Sequence, residues 1–428
     1  MKKYLKETVK YLLRCRPLIA PYIREIEDMY GMSKEELRQR NERVFLRIFR
    51  KAYNDSVFYH KLYTDVGIKI DDIKTLDDIK KLPVITKDMV KKHADEMIVV
   101  PKWRLITNHT SGSTGTPLKV YEDWPSIWRE QAYFYCYRKR CGFTYGQPLI
   151  SLRGNLDRND IYLKIHVSNT LYLSSYNINA NTVKTYYDKI INHKPIAIEG
   201  YPSSLYTLGL LLKDRGLRLH IPLTFTSSEN LLDYQRILIE DQFDTQIYDH
   251  FGTTERTIRL SETINHQGYY EDPGYSINEY VEDGEITTSL INESFPMIRY
   301  KGNDMMELLP ANDDNYALSP VVRKIDGRAI SYIIGKDGTR YSDAALTFIF
   351  KSANNVRLAQ FIQKEKGSIQ INIVPNGAFN IDNKKEILNL VDEKIGLSNM
   401  DVMINQISQD GLIYTRRNKL ALIINKIN

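Results

Sequence analysis

Between residues 105 and 300, short apolar runs (KVYED at 119, PLISL at 148, PIAIEG at 195, PLTFTSS at 222, TQIYDHFG at 245) alternate with helix-like stretches such as SSLYTLGLLLKDRG. Strands of this kind, with a helical segment between one and the next, pair in parallel because the helix carries the chain back across the sheet. The pattern predicts an α/β fold with much parallel pairing.

The flanks read differently. Residues 1 to about 60 read as amphipathic helices, with Val44, Phe45, Ile48, Phe49 and Ala52 at three- and four-residue spacing. The segment DDIKTLDDIKKLPVITKDMVKKHADEM has acidic helix starts, a break at Pro83 and Thr86 in N-cap position, so short helices and turns are expected from 71 to 97. From 272 to 328 short strands are separated by Gly, Asn and Asp turns, which suggests a small antiparallel unit. Beyond IDGR at 325 to 328, short strands (SIQINIVP) mix with a helix (KKEILNLVDEKIG). A chain of 428 residues with 42% apolar content exceeds what one core usually reaches. The expected organisation is a large N-terminal α/β domain over 1–328, made of a helical prelude (1–100), an α/β core (101–270) and a β-rich subdomain (271–328). A small C-terminal α+β domain follows over 329–428. No internal repeat or low-complexity linker is visible.

Charge narrows the partners. The 59 Lys and Arg are interleaved with 53 Asp and Glu, for a net charge of +6, which suits an anionic small molecule and gives no strong case for nucleic acid. Three cysteines, Cys15, Cys136 and Cys141, are too few and odd in number for a disulfide framework, so a reducing, cytoplasmic compartment is expected. Cys136 and Cys141 lack a second Cys/His pair, and ordinary thiols are the better reading than zinc. No stretch reaches the roughly 20 uncharged apolar residues of a membrane span. The lysine-rich, amphipathic start leaves peripheral contact with the inner membrane face open.

Chemistry concentrates first at Thr110 to Pro117, TSGSTGTP, with five hydroxyls and two glycines. Glycines let backbone approach an anion while hydroxyls and N–H groups bond its oxygens, which suits a triphosphate cradle, with Lys119 as a counter-charge. It is not a Walker loop, since the GxxxxGK[ST] spacing is missing. On composition alone a polar surface turn is the commoner reading.

TSGSTGTP is, however, similar to the phosphate-loop signature of the adenylate-forming enzymes, the superfamily of acyl-CoA ligases and peptide-synthetase adenylation domains. More narrowly the chain resembles the phenylacetate-CoA ligase branch and its CapK-like relatives, which are associated with capsular polysaccharide biosynthesis. AYNDSVFYHKLYTDVGIKIDDIKTLDDIKKLPVITKD, EGYPSSLYTLGLLL and FTSSENLLDYQRILIEDQF follow in the family's order, so the likeness is nearly full length.

The resemblance implies a fold with a small mobile C-terminal lid domain, and ATP and Mg2+ as cofactors. It implies that Ser111, Gly112, Ser113, Thr114 and Gly115 hold phosphates. HFGTTER resembles the YGxTE element: Glu255 would bind the metal, Thr254 and Gly252 carry over, and Phe251 keeps stacking but lacks the usual phenol. FPMIRYKGNDMMEL resembles FPLIRYRTGD, giving Asp304 the ribose hydroxyls, with Gly302-Asn303 in place of Thr-Gly. Arg328 of IDGR would contact ribose or phosphate, although Ile330 replaces the usual hinge residue. Lys419 is the candidate catalytic lysine, preceded by Asn418 instead of glycine. Ser227, Ser228 and Glu229 match the adenine-pocket segment. His109 and His250 read as structural histidines.

Three readings of function stay open: activation of a carboxylic acid and transfer to CoA; transfer to an amine, such as an amino sugar or amino acid; or a non-catalytic nucleotide-binding regulator, kept open by the four departures. The acid is not identified, although the polar stretch SLRGNLDRNDIYLK could line a pocket for a polar or anionic one. The oligomeric state is not legible.

Overall fold

The computed structural model describes the chain except residues 1, 110–117, 154–155, 157–159, 176, 311–315, 329–331, 343–345, 347–348, 350–352, 377–378, 415–419 and 428. Five helices come first: α1 (Lys2–Leu12), α2 (Arg16–Tyr30), α3 (Lys34–Asp55), α4 (Val57–Asp65) and α5 (Lys87–His93). α3 starts at a capping box in which Ser33 and Glu36 satisfy each other's backbone N–H groups, and it buries Val44, Phe45, Ile48, Phe49 and Ala52. Thr86 caps α5 by accepting from Met89 N–H. None of the described helices is long and apolar enough to cross a membrane.

A hairpin of β1 (Ile106–His109) and β2 (Lys119–Glu122) leads into α6 (Trp124–Arg140), capped by Asp123. The alternating region then gives β3 (Leu149–Arg153), β4 (Tyr162–Ile165), β5 (Thr170–Ser174), α7 (Val183–His193), β6 (Ala197–Gly200), α8 (Pro202–Lys213), β7 (Leu223–Ser227), α9 (Asp233–Phe243) and β8 (Gln246–Gly252). Neighbours β8, β7, β6, β3 and β5 are parallel in that spatial order. Every residue of β7 is buried, as a strand covered on both faces requires.

The rest of the sheet comes from further along. β9 (Arg259–Glu262) and β10 (Tyr269–Glu271) are followed by β11 (Ser276–Val281), β12 (Gly284–Ser289), β13 (Tyr300–Lys301), β14 (Asp304–Leu308) and β15 (Val322–Arg328). The expected antiparallel unit is therefore smaller than the sequence suggests. Only β11, β12 and β13 form a separate three-stranded sheet, while β9, β10, β15 and β14 extend the large sheet to ten strands in the order β14-β15-β10-β9-β8-β7-β6-β3-β5-β4. Short strands with turns look alike in sequence whether they pair among themselves or with a distant edge.

The C-terminal residues add a pair, β16 (Tyr332–Ile334) and β17 (Arg340–Ser342), and a four-stranded sheet of β18 (Val356–Glu365), β19 (Ser368–Pro375), β20 (Asp401–Gln406) and β21 (Ile423–Asn425). The helix α10 (Ile381–Lys394) lies between β19 and β20 in the chain. Ile369, Ile371, Ile373, Ile387 and Val391 centre its core. This sheet meets α8: Arg357 pairs with Asp214 at 3.0 Å, and Tyr206 packs beside Leu358, Val374 and Leu412.

Candidate functional site

The hairpin β1–β2 brackets residues 110–117, so Ser111, Gly112, Ser113, Thr114 and Gly115 lie outside the described residues while both stems are in place. The stems are anchored. Asn108 donates to Glu122, and Glu122 Oε1 accepts from Arg256 Nε at 2.8 Å. Arg256 also pairs with Glu130 of α6 at 2.9 Å. Its backbone is left-handed, at φ +60°, a strained conformation for a side chain that is held here by two carboxylates. Burial opposes the guanidinium charge, but Glu130 and Glu122 overrule it and raise its pKa. Arg256 follows Glu255 directly, so this clamp brings the base of the TSGSTGTP loop to the HFGTTER turn.

Lys119 is occupied elsewhere. It lies an odd number of residues from Glu122, hence on the other face of β2, and its Nζ bonds Asp95 at 2.7 Å. Within HFGTTER, Phe251 is half-buried against Ile258, Leu260 and Val322, Gly252 is exposed, and Thr254 and Glu255 are half-buried.

The parallel strands β3, β6, β7 and β8 end at Arg153, Gly200, Ser227 and Gly252, forming one carboxyl edge. A Cβ on Gly200 would fall 2.9 Å from Leu205 and 3.0 Å from the Leu152 carbonyl oxygen, so glycine alone lets α8 start this close to the sheet. Ser228 follows with φ +69° and is exposed. Glu229 Oε2 accepts from the Ser203 N–H at 3.0 Å, satisfying a donor in the first turn of α8. Below this edge His250 is buried edge-on to Phe134, with centroids 5.0 Å apart. Burial, then Arg259, Arg153 and Arg138, push its pKa well down, so it is neutral.

Asp304 opens β14 and stands opposite Arg328, the last residue of β15, in the strand register. Asp304, given the ribose by resemblance, and Arg328, given ribose or phosphate, are therefore neighbours across two strands. The Asp304 N–H donates to Glu285 Oε2 at 2.9 Å. A Cβ on Gly302 would lie 1.8 Å from Glu285 Oε1, so the buried Glu285 carboxylate fills the space that a threonine side chain would occupy there. The Gly302-Asn303 departure is thus matched by a side chain from another strand. Burial and the adjacent Asp304 raise Glu285 to about 8. Lys419 lies among residues 415–419, outside the described residues.

Glu122, Arg256, Glu130 and Glu285 were not singled out from sequence. The pairing of Glu122 with Arg256 spans 134 positions, and isolated charges in sequence look solvated. The one legible clue was Gly302 in place of a threonine.

This edge and the anchored stems of the hairpin beside it form an open α/β arrangement that known proteins share. Residues 333–426 match the CapK C-terminal domain. Protein CapK of Staphylococcus aureus is 24% identical over 389 residues, covering 87% of this chain and 82% of that protein. The phenylacetate-coenzyme A ligase of Pseudomonas putida is 24% identical over 339 residues, covering 72% and 74%. A crystal structure of 2-hydroxyisobutyryl-CoA ligase in the postadenylation state, in complex with R3-HIB-AMP, shares the fold with a TM-score of 0.71 at 14% identity, covering 93% of this chain and 91% of that one. Over most of its length the chain is similar to CapK and to the phenylacetate-coenzyme A ligases, and it shares the fold of an acyl-CoA ligase.

Proposed function

We propose that the chain uses ATP to convert a carboxylic acid to an acyl-adenylate, releasing pyrophosphate, and then transfers the acyl group to CoA. The observation that carries this reading is the clamp of Glu122 and Glu130 on Arg256, which holds the hydroxyl-rich loop's stem against the turn bearing Glu255. In this reading Ser111, Ser113 and Thr114 bind the β and γ phosphates, Asp304 the ribose, and Lys419 neutralises the carboxylate and α-phosphate as they converge. Ser228 and Glu229 border the adenine. Glu255 fits magnesium, because Mg2+ at a nucleotide needs only one or two carboxylates besides phosphate oxygens. The ion would offset charge on the phosphates. Residues 1–328 act as the adenylating body and 329–428 as the lid that carries Lys419.

A second acceptor, an amine on a sugar or amino acid, is favoured by the match of residues 333–426 to the CapK C-terminal domain. Exchange of labelled pyrophosphate into ATP, dependent on an added acid, tests adenylation, and its absence with every acid would leave only a nucleotide-binding regulator. Product formation with CoA or with amines separates the acceptors. Lys419→Ala should slow adenylation by about 100-fold or more while ATP still binds; an unchanged rate removes Lys419 from the mechanism.

A further inference from the structure

The polar stretch that begins SLRGN places Arg153 at the end of β3. The chain passes from β3 to β5 on one side and from β6 to β7 and β8 on the other, so β3 and β6 flank the point where strand order reverses. Ligands of open α/β sheets lie in the crevice outside the carboxyl ends of the strands at such a point. Ser151 and Glu199 are register partners on these two strands, and Arg153, two residues on, shares their face.

Two guanidiniums converge there on one carboxylate. Arg138 of α6 donates to Glu199 Oε2, Ser151 Oγ donates to Glu199 Oε1 at 2.7 Å, and Arg153 Nε lies 3.7 Å from that oxygen. Burial favours the neutral acid, but Arg153 and Arg138 overrule it and hold Glu199 at about 2, so the carboxylate is ionised. A surplus positive charge remains. Arg153 Nη2 reaches across to Ser227 at 3.0 Å, while its Nε is buried without a hydrogen-bond partner among the described residues. A buried guanidinium N–H left unpaired is costly and is satisfied by an acceptor oxygen. Three rings here each already carry a cation on a face: Arg138 lies 5.2 Å from the Phe225 centroid, Arg259 4.2 Å from Phe134, and Arg153 5.9 Å from Tyr201. An aryl tail would have to displace a cation from one of them.

We propose that this crevice selects the acid, and that it takes carboxylic acids whose tails carry an acceptor oxygen, a second carboxylate or a hydroxyl, with Arg153 as the specificity residue. This deepens the adenylation reading and rests on it. The acid's reacting carboxylate meets ATP, and its tail oxygen bonds the Arg153 guanidinium.

The test is acid-dependent pyrophosphate exchange by the full chain with glutarate, 3-hydroxybutyrate, phenylacetate and hexanoate, in wild type, Arg153→Leu and Arg153→Lys. The wild type should favour glutarate or 3-hydroxybutyrate, and which of these leads tells carboxylate from hydroxyl. Arg153→Leu should lower the ratio of polar to apolar acid by about 100-fold or more, and Arg153→Lys by less. That ratio is read within one preparation, so it does not depend on how much of a variant is folded. A wild-type preference for phenylacetate or hexanoate, or an unchanged ratio in Arg153→Leu, overturns the proposal. If no acid supports exchange, calorimetric titration of the same acids decides. Binding of the polar acids that Arg153→Leu abolishes keeps the crevice while adenylation falls; no binding removes both.

Discussion

Around β8 and β9 the ten-stranded sheet encloses Arg259, Asp272, Asp249 and His250, whereas the buried polar groups described in the C-terminal sheet and α10 are all amides: Gln360, Gln363, Asn372 and Asn383. The amides are matched to backbone. Gln360 Nε2 donates to the carbonyls of Ile413 and Ala421, at 2.9 and 2.7 Å, and its Oε1 accepts from Ile413 N–H. Gln363 does the same for both backbone groups of Ile334. Neutral pairing of this kind stitches loops to a strand without any dependence on charge. The large sheet instead balances charges contributed by distant segments, as Arg259 does between Asp272 at 3.0 Å and Glu130 at 3.5 Å. Buried ions are costly unless partnered, so the large sheet depends on matching charge across distant segments in a way that the C-terminal sheet does not.

That contrast can be broken most forcefully at Arg259. Arg259→Ala leaves Asp272 and Glu130 facing each other in the interior and should cost about 3–5 kcal/mol in chemical denaturation. Gln360→Leu, which strands three backbone groups in the C-terminal sheet, should cost about 1–3 kcal/mol. A loss as large as that of Arg259→Ala would erase the distinction.

A graded effect comes from pH. Burial raises Asp249 to about 7, and burial with Asp304 raises Glu285 to about 8. The folded chain therefore keeps protons that the unfolded chain releases near pH 4, and stability falls as pH rises from there through 7 and 8. The decline is at most about 1.4 kcal/mol per pH unit for each titrating group. Glu285→Gln should flatten the upper part of a melting-temperature profile measured from pH 5 to 9. The smallest change belongs to the Asp214–Arg357 contact between the end of α8 and the C-terminal sheet. Its partners are 49% and 22% exposed, so Asp214→Asn should cost no more than about 1 kcal/mol. It should show more clearly as increased limited proteolysis than in overall melting.

The parallel strands were legible because each is a short apolar run bounded by turns: LISLR, AIEG, LTFTS and QIYDHFG all become strands. Val44 to Ala52 and the Thr86 cap were legible for the same local reason. KVYED was read as part of the alternating set, yet it pairs with Ile106–His109 in a separate hairpin, because nothing in a strand names its partner. Nor could β14 and β15 be assigned to the large sheet from their own residues. The site divides likewise. Phe251, Glu255, Asp304 and Arg328 stood out through motif order, whereas Glu285 and the charges around Glu199 needed coordinates, since their partners lie far away in the chain.

The clamp at Arg256 also bears on what could be transplanted. A loop grafted into another α/β scaffold would bring its glycines and hydroxyls but not Glu122, Glu130 and the left-handed arginine that ties them together. The smallest exchangeable module is then a hairpin, the first turns of α6 and a turn more than a hundred residues later. Chimeras that divide the chain between α6 and β8 would inherit half of a clasp.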